Sequence, residues 1–202
     1  MHGGTNDQQG NFQEHKRELG LALAGHMKDG AWDGEKIRVA HGPYSITLDC
    51  HAEIGGLSSQ VVTRFRAAYT NSDGFSFRIR RRTWATELVK LIGTQDIEVG
   101  DEPFDHEFVL QANEPNEFLR FMESEEIRRE LLESDALLVE VRPDDGWFGP
   151  EFPEGVDELY LELPGRVTDA EVIEKHYDLF ADILDQLEKI GSAKGKPRDP
   201  GL

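Results

Sequence analysis

The sequence is short of cysteine, of basic residues and of long apolar runs. Its 202 residues hold one cysteine, Cys50, so no internal disulfide and no multi-cysteine zinc site can form. Lys and Arg number 22 against 40 Asp and Glu, a formal charge of −18. That balance excludes a generally cationic coat for nucleic acid or for an anionic membrane. No apolar run approaches the ~20 residues a membrane helix needs, and residues 1–11 lack the basic and apolar regions of a signal peptide. Gly-x-Ser-x-Gly, phosphate-loop and Gly-x-Gly-x-x-Gly strings are also missing. What remains is a 38% apolar, 9% aromatic chain that can build a core. The expectation is a soluble, acidic, cytoplasmic protein with no cofactor.

Residues 1–10 and 191–202 are small, polar or Pro/Gly-rich and are expected to be disordered, flanking an N-terminal helix over 11–30 and a single α+β domain over 36–190. Within it Tyr44–Ala52 alternates, with Tyr44, Ile46, Leu48 and Cys50 on one face and Thr47, Asp49 and His51 on the other. Gln60–Tyr69 and Phe75–Arg82 alternate likewise, and Thr70–Gly74 between them has hairpin turn chemistry, which predicts that these two strands pair. Trp84–Ile92 and Glu114–Glu133 switch to helical spacing, Asn113 being the expected cap of the second. Glu107–Ala112, Ala136–Val141 and Glu158–Leu163 read as further strands. Thr168-x-x-Glu171 fits a capping box opening a long helix, on which Ile173, Tyr177, Phe180, Leu184 and Leu187 form one stripe. The order predicts an antiparallel sheet with helices mainly on one face and a long C-terminal amphipathic helix.

Gly93, Gln95, Asp96, Ile97, Gly100, Asp101, Phe104, Asp105, Phe108 and Val109 form the string GxQDIxxGDxxFDxxFxV. It resembles a motif of domains in uncharacterised bacterial proteins, several of which carry membrane helices elsewhere; the resemblance implies no activity. Read physically, Gly100–Pro103 is a turn, Ile97, Val99, Phe104 and Phe108 are core anchors, and Asp101 and Asp105 accept backbone N–H bonds that hold the loop shut.

Two constellations bear on function. Arg64 and Arg66 on one strand, and Arg78, Arg80 and Arg82 on the next, each keep period 2, so with Phe65 and Phe77 facing the core all five project away from it, while Arg81 turns towards the core or the strand ends before it. Such an array needs compensation. Either Asp49, Glu53, Glu140, Glu158 and Glu162 supply it from neighbouring strands, or the face takes an acidic protein or an anionic ligand. The acidic loop 96–107 offers the other constellation, with Asp101, Asp105 and His106 as alternative ligands for a metal-dependent hydrolase. Cys50 and His51 are adjacent on a strand and face opposite ways, so they form no catalytic dyad. Trp147 and Phe148 sit in a Gly/Pro-rich turn and serve either as partner anchors or as a lid. The reading is a non-catalytic interaction module whose arginine face and aromatic loop (Arg64, Arg66, Arg78, Arg80, Arg82, Trp147, Phe148) meet a protein partner or small anionic ligand. Nucleic acid and membrane insertion are disfavoured. Self-association through the N-terminal helix is the third alternative.

Overall fold

The computed structural model describes residues 17–28, 31–55, 58–82, 96–142 and 152–195. A helical segment over 17–24 (α1) leads into two short strands, Met27–Lys28 (β1) and Ala31–Trp32 (β2), which pair with each other. The main sheet holds eight strands, all antiparallel. They are Ile37–His41 (β3), Tyr44–Gly55 (β4), Ser58–Asn71 (β5), Phe77–Arg81 (β6), Phe108–Ala112 (β7), Leu138–Arg142 (β8), Val156–Pro164 (β9) and Ala193–Lys194 (β10). Their order is β3-β4-β5-β9-β8-β6-β7, with β10 pairing the end of β5. The helices are Glu102–Glu107 (α2), Pro115–Phe121 (α3), Glu125–Glu133 (α4) and Ala170–Ile190 (α5). This is the α+β architecture that the pattern predicts.

Alternation along each strand becomes rows across the sheet. One row runs Ile37, Leu48, Phe65, Leu161, Val139, Ile79 and Leu110, every member buried, one from each of seven strands. Directly opposed residues share a face, so this row defines the core side. Helix α5 covers it with Ile173, Tyr177, Phe180, Leu184 and Leu187, all fully buried, and Phe180 meets Phe65 with ring centroids 6.0 Å apart. No helix among the described residues is long and apolar enough to cross a membrane.

The expected hairpin of β5 with β6 does not form. Strand β5 pairs β4 and β9, while β6 lies between β8 and β7, two strands away. The turn itself is as its residues dictate: Asn71 Oδ1 accepts the N–H groups of Asp73 and Gly74, and Gly74 takes φ +72°. A local turn reverses direction but does not choose a partner. Phe75 and Phe77 enter an aromatic cluster with Phe118 and Phe121 (Phe77 to Phe121, 4.8 Å), which carries β6 to the far side of the sheet.

Smaller differences have equally local causes. The expected 114–133 helix is two, because the Ser124 hydroxyl accepts the Ile127 N–H and starts α4 afresh. Asn113 instead clamps the turn, accepting from Ser76 N–H and donating to Gly74 O. Asp169, rather than Thr168, caps α5, because its carboxylate accepts the Glu171 and Val172 N–H groups. Residues 191–194 are not the disordered tail expected over 191–202, since Gly191 closes α5 at φ +94° and β10 follows it onto the sheet; residues 196–202 lie outside the described residues. The helix expected over 83–92, and Trp147 and Phe148, lie outside the described residues.

Candidate functional site

The arginines do share the outer face, but in rows that interleave them with other strands. One row reads Arg38, Thr47, Arg66, Tyr160, Glu140, Arg78 and Gln111; the next reads Asp49, Arg64, Glu162, Leu138, Arg80 and Val109. Two strands, β9 and β8, separate Arg64 and Arg66 from Arg78 and Arg80. The recognition surface expected from two adjacent basic strands is therefore not assembled as such.

At the β5 end the compensation is internal. Arg64 Nε donates to Asp49 Oδ1 at 2.5 Å and its Nη2 to Asp49 Oδ2 at 3.2 Å. Arg66 bridges Asp49 (3.2 Å) and Glu158 (3.5 Å). Asp49, Arg66 and Glu158 are buried. Burial opposes ionisation of Asp49, yet Arg64, with Arg66 and Lys36, holds its carboxyl below the usual carboxylate range. Ions withdrawn from water persist only when paired in this way.

Glu140, also buried, is the next node, accepting from Arg78 Nε at 2.5 Å and from Arg142. Arg142 lies 3.4 Å above the Tyr160 ring centroid, and Tyr160 donates to Glu162 at 2.9 Å. Burial opposes the charge on Arg142, but Glu140, with Tyr160 and Glu158, more than restores it. A guanidinium stacked on a ring and forked to a carboxylate uses both of arginine's binding modes.

The β6 end differs. Arg80 is half-buried, and its lateral neighbours are Leu138 and Val109, both half-buried and apolar. Arg82 follows the strand, its N–H bonded to Glu107 O at 2.8 Å, with its side chain exposed. Among the described residues no carboxylate lies within ion-pair distance of Arg80 or Arg82. Arg78, at 44% side-chain exposure, extends the strip.

Arg81 points to the core side, as its position in the run predicts. It donates to Ala136 O, Leu131 O and Ser134 O (3.1, 2.8 and 2.8 Å), pairs with Glu107 and covers the Phe108 ring. It thus satisfies the carbonyls at the C-terminus of α4 and ties that helix to β6. Its parity in the strand gives the direction; nothing local in the sequence gives the carbonyls it reaches.

The acidic loop is held shut as its residues predict. Asp101 accepts the Phe104 N–H as the cap of α2 and pairs with Arg128 at 3.1 Å; Asp105 accepts the Val99 and Gly100 N–H groups, each at 2.9 Å. These carboxylates are engaged, and His106 is exposed on α2. Among the described residues the group that brings three metal-binding atoms within 4.8 Å of one another is a different one, His26, Asp33 and Glu35. There Asp33 Oδ1 already accepts the Glu35 N–H at 3.0 Å, and Glu35 is mostly exposed.

Cys50 sits on the core side, its Sγ 3.6 Å from Thr63 Oγ1, while the register sends His51 to the other face. His176 is structural: Nδ1–H donates to Val172 O at 2.7 Å, and Nε2 accepts the Asp135 N–H at 3.4 Å.

The fold and site define an antiparallel α+β protein with a helix-covered face and an outer face of interleaved charge. No family model matches the chain, and no curated protein matches it. Among solved structures it is similar to the crystal structure of the mycobacterial trehalose monomycolate transport factor A, TtfA. The identity is 9%, over 94% of this chain and 99% of that chain, with a TM-score of 0.44.

Proposed function

We propose that the chain is a non-catalytic protein-interaction module that presents the β6 end of its outer sheet face, Arg78, Arg80 and Arg82, to an acidic surface of a protein partner. The observation that carries this reading is the contrast within one face. Arg64 and Arg66 are spent on Asp49 and Glu158, whereas Arg80 and Arg82 meet no carboxylate among the described residues. Arg80, flanked by Leu138 and Val109, has the mixed apolar and cationic character of an interface anchor. In a molecule of charge −18, a short basic strip also orients an acidic partner before contact, because the rest of the surface repels it.

Charge reversal at both positions, Arg80→Glu with Arg82→Glu, tests the reading. Proteins captured by the wild-type chain from its own cell lysate should be lost from the double variant while its melting curve is unchanged. Capture of the same proteins in the same amounts by both chains would overturn it.

A further inference from the structure

Helices α4 and α5 pack along a seam rich in carboxylates. Helix α4 brings Glu126 and Glu130, four residues apart and so on one face; α5 brings Asp178, Asp182 and Asp185. Cations are few there. Arg129 pairs with Glu126 at 3.3 Å, Lys175 is committed to Glu133 O at 2.8 Å, and His41 from the end of β3 meets Asp185 at 2.7 Å. Lys189 bonds Gln186, and Glu188 accepts from Tyr44 OH. From α1, Glu18 adds negative charge near Tyr177. Glu133, Glu171 and Glu174 line a cleft of ≈ 320 Å³ at one end of the seam, beside His176. Glu130 Oε2 is buried with no hydrogen-bond partner among the described residues.

We propose that this seam is a proton-sensitive joint: α4 docks tightly on α5 when Glu130 or Asp182 carries a proton, and the joint loosens as both ionise. The packing of the two helices and the orphan Glu130 Oε2 support it. Two half-buried carboxylates on packed helices, with Glu126, Asp178 and Asp185 around them, repel once charged, and the nearby cations are already engaged. A protonated Glu130 turns a buried orphan acceptor into a neutral group. Burial, then Asp182 and Glu126, raises Glu130 to about 7; burial, then Glu126, Asp185 and Asp178, raises Asp182 to about 6. Both folded values lie above the unfolded ones. The contribution is therefore full below the unfolded carboxylate range and is lost as pH rises through about 6 to 7. His176 works against this only in acid, since burial lowers its value.

The test compares wild type with Glu130→Gln/Asp182→Asn, by melting and by hydrogen exchange of α4, with β5 and β9 as the internal reference. Between about pH 5.5 and 8.5 the wild-type Tm should fall by about 4 °C more than that of the double variant. Exchange in 125–133 should accelerate in the wild type alone, beyond the intrinsic pH effect measured in β5 and β9. Glu130→Gln by itself, a one-atom exchange, should give the same sign at about half the size, so the comparison holds even where the double variant fails to fold. Parallel Tm profiles, or equal acceleration of α4 in wild type and variant, would overturn the proposal.

Discussion

Strands β5 and β6 carry the same signature, arginines at every second position between buried aromatic or aliphatic residues, and they use it in opposite ways. On β5 the guanidinium groups, half-buried for Arg64 and buried for Arg66, are bonded to Asp49 and Glu158. On the outer face of β6 Arg78 has such a partner, Glu140, whereas Arg80 faces Leu138 and Val109. Strand alternation decides which face a side chain takes. The neighbouring strand decides whether its charge is matched, and that neighbour is chosen by contacts distant in sequence.

The sharpest break in this comparison is Arg66→Met. It takes one of two arginine partners from buried Asp49 and the 3.5 Å contact from buried Glu158, and should cost about 3 kcal/mol in chemical unfolding. Arg81→Ala comes next. Ala136 O and Ser134 O lose their donor, Leu131 O keeps only its bonds from Ser134, and about 2 kcal/mol should disappear. A smaller effect, about 1–2 kcal/mol, is expected for Glu140→Gln, which uncouples Arg78 from Arg142 but keeps the shape. Acid should sharpen the same contrast. Asp49's carboxyl is held below its unfolded value, so the stability it contributes is present above the ordinary carboxylate range and is lost as pH falls through the folded value. The seam between α4 and α5 loses its contribution in the other direction, as pH rises.

Much of this is legible in the sequence. The α5 stripe, the faces of β4 and β5, the closing of the 96–105 loop by Asp101 and Asp105, and the inward turn of Arg81 all follow from spacing and local hydrogen-bond chemistry. The acids Asp49, Glu140 and Glu158 are also readable as one source of compensation. The pairing of β5 with β9 is not, because Asn71–Gly74 encodes a reversal and says nothing of what fills the edge beyond it. For the same reason the two halves of the arginine array read alike. The break at Ser124 is hidden by Phe118, Phe121, Ile127 and Leu131, whose apolar spacing runs across it almost unbroken.

The division of the arginines into a structural pair, Arg64 and Arg66, and two that meet no carboxylate among the described residues, Arg80 and Arg82, is tested most directly by melting two variants side by side, Arg66→Met and Arg80→Glu/Arg82→Glu. A loss of about 6–12 °C in the first and less than about 2 °C in the second is the predicted result. Equal losses in both, or a larger loss when the β6 pair is reversed, would contradict it.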